Sequence, residues 1–415
     1  MAAENLRCKE CGTVYPLEAL YVCERCFGPL EVSYDHGFTD DIAALRRRIQ
    51  GGPQDVWRYA DFLPLAGGPP GPSNHLASRA GLPDGWTPLI SADRLAERLG
   101  LREVWVKNDA ANPTHSFKDR VVAVASARAR ELGFGALACA STGNLGNAVA
   151  ARAAASGMRS VVLYPRTVEP EKLLATAVYG GEMYAVRGSY DDCSRLVVEL
   201  AGELDWAFVN VNLRAYYAEG SKTLAFEIAE QLGWETPDVV ISPVASGSLF
   251  TKLWQGFEQF RRLGLVEGPS PRIYGGQAEG CAPVAHAFAD ERPVSPIRPN
   301  TIAHSLAIGA PADGDLATAT ARTSGGGIYA VPEDEIGANM SLLAATAGVF
   351  GETAAGVTVG ALRAAAQSGA LGPDDRVVVL VTGTGLKTPQ VVDARAGIEI
   401  DADVDELLEH IGVTA

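Results

Sequence analysis

Short apolar runs alternate with longer amphipathic stretches through most of this chain, and that rhythm predicts its architecture before any single residue is weighed. Ala136–Ala140, Ser160–Tyr164, Glu182–Val186 and Trp206–Asn210 read as strands, with helices between them starting at Asn147 and Pro170 and running over Asp191–Leu200. A second series begins near Lys222 and places strands at Val239–Ile241, Arg272–Gln277 and Val377–Val381. Upstream, Ala92–Leu99 reads as a helix and Glu103–Lys107 as a short strand. Strand–helix–strand alternation gives parallel sheets with helices on both faces. The expected fold is therefore α/β with two lobes and a cleft between them: a large lobe of residues 36–125 and 220–415, and a small lobe of residues 126–219. Gly51–Pro88, dense in Gly and Pro around Ala66–Pro72, reads as a connector without elements of its own.

The first 35 residues follow neither period. They carry Cys8-x-x-Cys11 and Cys23-x-x-Cys26, with 11 residues between the pairs. Each pair fits a tight turn, and two thiolates from each turn make a closed tetrahedral site, so the segment reads as zinc-ribbon-like with a structural ion. An odd total of seven cysteines, four of them in these pairs, favours metal over disulfides in a reducing compartment. Cys139, Cys193 and Cys281 stand alone and read as small buried apolar residues.

Charge narrows the partners. A net charge of -15 argues against a broad attraction to nucleic acid or anionic lipid, although a local cluster of donors still suits a small phosphorylated ligand. No apolar run approaches the roughly 20 residues of a membrane helix and the first residues lack a signal core, so a cytoplasmic protein is expected, with a homodimer left open.

The candidate chemistry starts at Asn112-Pro113-Thr114-His115-Ser116-Phe117-Lys118-Asp119-Arg120, which sets one lysine in a turn ahead of the apolar run Val121–Ala129. Pro113 stiffens the turn, and Ser116 can cap a helix with Lys118 in its first turn. Asp119 and Arg120 read as structural charges. A solvated lysine is a poor nucleophile, so reactivity here requires burial or a cationic neighbour. Ser141-Thr142-Gly143-Asn144-Leu145-Gly146-Asn147 and Pro243-Val244-Ala245-Ser246-Gly247-Ser248-Leu249 each follow a strand and open a helix, where free amides and the helix dipole hold anions. Thr382-Gly383-Thr384 follows Val377–Val381, at the strand end where open α/β sheets bind ligands. Between these motifs, Arg214 can grip a phosphate through two nitrogens, with Asn212 and Lys222 assisting.

The lysine segment resembles that of the fold-type II pyridoxal phosphate (PLP) enzymes, most closely the threonine synthases, and the four motifs follow that family's order along nearly the whole chain. The resemblance implies a two-lobed fold of type II with parallel-rich sheets. It implies PLP held covalently by the catalytic Lys118 with Phe117 beside it, Asn144 at the ring hydroxyl, Ala245, Ser246, Gly247, Ser248 and Leu249 around the phosphate, and Thr382 at the ring nitrogen. Glu352 is a weaker candidate for steering the ring. Ser141 and Thr142 would meet the substrate carboxylate, Asn147 would also bind substrate, and Asn212, Arg214, Lys222 and His115 would lie at the phosphate end. The implied activity converts O-phospho-L-homoserine and water to L-threonine and phosphate by γ-elimination and β-addition. Departures keep neighbours open: His115 replaces a usual Gly or Leu, Thr384 a usual His, the Gly247 loop is poorer in Gly and Asn, and Tyr217 competes with Arg214 for one position. A cysteate synthase acting on O-phosphoserine, a threonine dehydratase, and a non-catalytic protein working through its ribbon are the alternatives.

Overall fold

The computed structural model describes residues 3–34, 41–65, 82–393 and 397–412. The Ala66–Pro72 run lies outside them. At the N-terminus β1 (Ala3–Cys8), β2 (Val14–Tyr15) and β3 (Leu30–Tyr34) form an antiparallel sheet in the order β2-β1-β3. Next come β4 (Leu89–Ser91) and β5 (Glu103–Asn108), and then β6 (Ala136–Ala140), β7 (Arg159–Pro165), β8 (Glu182–Val186) and β9 (Ala207–Phe208). The chain continues through β10 (Val239–Pro243), β11 (Arg272–Ala278), β12 (Gly327–Val331) and β13 (Arg376–Val381).

These strands make two parallel-rich sheets. The larger runs β12-β11-β10-β13-β5-β4, with β4 antiparallel to β5 at one edge; the smaller runs β8-β7-β6-β9 and falls wholly within residues 126–219. The cause is visible in β13, where Val377–Val381 are all buried: β-branched residues without polar alternation suit a strand covered on both faces. It pairs with β10 on one side and β5 on the other. β6, Ala-Leu-Ala-Cys-Ala, is equally buried, and its small side chains let helices approach closely. No helix among the described residues is long and apolar enough to cross a membrane.

Three sequence expectations shift. The connector Gly51–Pro88 contains a 3-10 helix, Val56–Phe62, whose Tyr59 and Phe62 rings pack against Phe226 at centroid distances of 5.4 and 5.3 Å. The abundance of Gly and Pro around it conceals the apolar Val-Trp-x-Tyr-Ala-x-Phe. The strand expected over Trp206–Asn210 shrinks to Ala207–Phe208, because the Asn212 side chain accepts from Phe208 N at 2.9 Å and donates to Trp206 O at 3.0 Å. Those backbone groups are spent on a turn instead of a ladder. The helix expected from Asn147 starts at Asn144, directly after Gly143.

Candidate active site

Loops leaving β5, β6, β10 and β13 converge on a cleft of about 190 Å³. Lys118, Ser141, Thr142, Asn144, Ala245, Ser246, Gly247, Ser248, Leu249 and Thr382 all line it, together with Phe117 and Arg214. Motifs separated by up to 265 positions thus share one cavity because each sits at the same end of a parallel strand.

The lysine helix, Lys118–Glu131, has Phe117 as its N-cap and no side-chain cap. Ser116 does not play that part: its hydroxyl is buried without a hydrogen-bond partner among the described residues. The turn is held by backbone instead. Phe117 N donates to Thr382 O at 2.9 Å and Thr384 N to His115 O at 3.1 Å, so the start of the helix is hydrogen-bonded to the turn after β13. Asp119 accepts from Thr114 N and Oγ1, each at 2.7 Å. Arg120 is wholly buried and holds both oxygens of Asp109, at 2.7 and 2.9 Å, and both oxygens of Glu227, one at 2.8 Å; Lys107 reaches Glu227 at 2.7 Å. These charges fix the helix start to β5 and to the helix Lys222–Gln231.

Lys118 projects into the cleft, where Nζ donates to the Tyr217 hydroxyl at 2.7 Å. Its Nζ also lies 4.6 Å from the Phe117 ring centroid and 5.4 Å from that of Tyr217. Loss of surrounding water lowers its pKa to about 8, while the charge of Glu352 acts in the opposite direction. The requirement for burial that the sequence imposes on a reactive lysine is met, with no cationic side chain in contact among the described residues.

Behind the amine lies a second set of buried polar groups. Asn144 Nδ2 donates to Glu352 Oε1 at 2.7 Å, and Asn144 Oδ1 accepts from Lys387 Nζ at 2.9 Å. Burial brings Lys387 down to about 8 against the raising effects of Glu352 and Asp119. Glu352 Oε2 is buried with no hydrogen-bond partner among the described residues, and Lys172 Nζ stands 4.0 Å from it. Asn144 is thereby held with both ends of its amide fixed.

Two helix starts supply anion cradles. Gly247, at φ +91°, precedes the helix Ser248–Arg262, and a Cβ there would meet Asp313 O at 2.5 Å. Only glycine fits this turn, which leaves the first amides of a 15-residue helix open to the cavity. On the other wall, Ser141 Oγ accepts from Gly143 N at 2.9 Å and Gly146 N at 2.8 Å, so this hydroxyl shapes the loop.

The expected phosphate end is only partly assembled. Arg214 lines the cleft, its Nη2 2.8 Å from Asp313 Oδ2. Lys222 does not join it: it is buried behind, 2.6 Å from Glu219, bonded to Gln259 at 3.0 Å, and packed on the Tyr34 ring. Asn212 is consumed by the turn after β9. Asn147, one turn beyond Asn144, is fully buried and donates to Lys172 O at 2.9 Å and Thr176 Oγ1 at 2.6 Å. His115 is exposed at φ +62° with Nδ1 3.3 Å from Ala110 O, outside the cleft lining. Spacing alone cannot tell which side of a helix or turn faces a cavity. The polar residues at or beside the cleft to which the motifs gave no role include Tyr21, Tyr190, Asn210, Asp313 and Lys387; Tyr217 carried a signal, as the competitor of Arg214.

At the N-terminus the Sγ atoms of Cys8, Cys11, Cys23 and Cys26 all lie within 4.8 Å of one another. Four thiols so gathered match the sulfur donor set of a tetrahedral zinc site.

Residues 81–383 match the family described as pyridoxal-phosphate dependent enzyme. The chain is 36% identical over 410 residues to a threonine synthase of Methanocaldococcus jannaschii, covering 97% of this chain and 98% of that one. It is also 36% identical over 414 residues to a threonine synthase of Methanosarcina acetivorans, covering 98% of each. Among solved structures, diaminopropionate ammonia lyase from Escherichia coli superposes with a TM-score of 0.63 at 20% identity, covering 86% of this chain and 92% of that chain. Threonine deaminase isoform 2 from Solanum lycopersicum gives 0.61 at 20% identity, covering 79% and 82%. At such identities these two speak for the fold alone.

Proposed function

The chain belongs to the pyridoxal-phosphate dependent enzymes, and from that premise we propose that it converts O-phospho-L-homoserine and water to L-threonine and phosphate. The observation that carries the reading is the single cavity in which a buried amine of lowered pKa meets the open N-terminus of a long helix. The donor set suits PLP: Lys118 for the aldehyde, the amides and hydroxyls of residues 245–249 for the phosphate, and Glu352 Oε2, which makes no hydrogen bond among the described residues, beside Asn144 for the ring. Lys118 would hold the cofactor covalently, Ala245 to Leu249 its phosphate, Asn144 its ring hydroxyl and Thr382 its ring nitrogen, with Phe117 alongside. Once bound, PLP supplies an electron sink for negative charge at the carbon bearing the substrate amine.

The remaining work falls to the chain. Lys118, near neutrality in its pKa, takes the proton from that carbon and moves protons at the next two, as a base tuned by burial can. Tyr217 keeps the amine in one place between transfers. Thr142 and the amides of the Asn144 helix start receive the substrate carboxylate, because Ser141 Oγ is committed to its own loop. Arg214 meets the phosphate that leaves, in exchange for part of its pairing with Asp313. Closure of the smaller sheet over the larger keeps bulk water out until one molecule adds. A zinc ion on the four cysteines is proposed as structural.

The test is phosphate release from O-phospho-L-homoserine and O-phosphoserine side by side, with the amino-acid product identified. Threonine and phosphate in equal amounts from the first substrate is the expected result, with Lys118→Ala losing both turnover and the visible absorption of the loaded protein. Inert phosphohomoserine would remove this reaction, and turnover of phosphoserine in its place would favour a β-replacing relative.

A further inference from the structure

The ribbon does more than sit at one end of the fold. Its residue Tyr21, between the two cysteine pairs, lines the same cavity as Lys118 and Arg214 and packs against the small-sheet cluster that includes Ala140 and Val211. Tyr34 donates to Glu219 Oε2, and Glu18 O accepts from the Tyr216 hydroxyl at 2.8 Å. Both of those partners lie on the short helix Arg214–Glu219, whose other residues Arg214 and Tyr217 face the cleft. Leu17 O accepts from Arg128 on the lysine helix, and Leu6, Leu30 and Val32 share an apolar cluster with Val121, Val122 and Tyr217.

The two helices that the ribbon grips are the two that meet at the reactive amine, through the 2.7 Å bond from Lys118 to Tyr217. They approach so closely that a Cβ on Gly220 would lie 2.6 Å from Arg120 O. Glu219 itself is fully buried and is neutralised by Lys222 and Lys252, each at 2.6 Å, so the short helix ends on a polar knot that the ribbon completes through Tyr34. A six-residue helix has too few internal hydrogen bonds to hold its own position.

We infer that the cysteine ribbon is part of the active site: Tyr21 walls the substrate end of the cleft, and Tyr34 and Glu18 hold the helix Arg214–Glu219 so that Tyr217 and Arg214 reach into it. The word substrate rests on the reading proposed above. Tyr21 acts as a specificity residue, and Tyr34 is a positioning residue that works through Glu219.

The loaded enzyme with Tyr21→Ala, Tyr21→Phe and Tyr34→Phe tests this. Tyr21→Ala should raise KM for O-phospho-L-homoserine about tenfold with kcat within about threefold, because it removes a wall and leaves the amine. Tyr21→Phe should restore wild-type KM, and the cofactor absorption should be unchanged in both. In Tyr34→Phe, amide hydrogen exchange over Arg214–Glu219 should speed up roughly fivefold while β13 stays protected. Unchanged KM in Tyr21→Ala, or exchange that rises equally in β13, would overturn the inference. The exchange measurement needs no substrate, so it still decides the matter if phosphohomoserine proves inert, a result that would overturn only the reaction.

Discussion

Replacing Arg120 by methionine should expose how the start of the lysine helix is held. The guanidinium is fully buried and spans Asp109 and Glu227, with further bonds to Thr223 at 3.1 Å and Thr87 at 2.9 Å. Burial pushes the Glu227 carboxyl up, but the charges of Arg120 and Lys107 and their hydrogen bonds outweigh it and bring the pKa down to about 2. Against an ordinary value of 4.5 that depression is worth about 3 kcal/mol by linkage. Because the folded value lies below the unfolded one, this stability is present above pH 4.5 and is lost as pH falls toward 2. Methionine fills much of the volume yet leaves two buried carboxylates with Lys107 as the nearby cation, so a loss of about 3–5 kcal/mol is expected at pH 7.5. In the variant the Glu227 carboxylate loses the charge that holds its pKa down and protonates as the solution is acidified, which relieves the repulsion. The deficit should shrink by at least about 1 kcal/mol between pH 7.5 and pH 4. Urea unfolding followed by tryptophan fluorescence at both pH values, for wild type, Arg120→Met and Arg120→Lys, measures it. A deficit of equal size at the two pH values would refute the reasoning, since it would assign the loss to packing alone.

Reloading of the cofactor-free protein with PLP, followed by absorbance, should accelerate as pH rises with a midpoint near the pKa of about 8 for Lys118, because only the neutral amine attacks. Glu352→Gln should move that midpoint lower, since the carboxylate charge supports the protonated form. Gly247→Ala forces a Cβ onto Asp313 O and a side chain onto φ +91°, and should weaken PLP retention about ten- to a hundredfold by equilibrium dialysis. Elemental analysis should find one zinc per chain, with X-ray absorption reporting zinc–sulfur distances of about 2.3 Å and chelation lowering the thermal midpoint.

Much of this site could be read from local patterns because its parts are local. Lys118, Asn144, the Ser246–Leu249 loop and Thr382 each follow a recognisable strand, and parallel strands put their ends together. Residues whose role depends on side-chain direction were not legible in the same way. Asn147 lies three positions from Asn144, yet its amide faces Lys172 and Thr176. Lys222 is expected to assist Arg214 at a phosphate, but a glutamate three residues earlier claims it. Glu352 and Lys387 are brought to Asn144 across more than 200 positions, a distance that neither periodicity nor spacing can bridge. Tyr21 gives no sign in the sequence of being a cleft residue, because cysteine spacing marks the ion site and not the face the ribbon turns to the lobes.

The pairing of the lysine turn with the Thr382 turn gives the two ends of the cleft different freedom to change. At one end the relation between Lys118 and Thr382 is written in main-chain hydrogen bonds, which most substitutions leave intact. At the other end Tyr21 and Arg214 are side chains on a loop and a short helix, each replaceable singly. Descent with modification can therefore rework which molecule is accepted without disturbing how the amine is presented, so new specificities should arise in this scaffold through few mutations, clustered on the ribbon side.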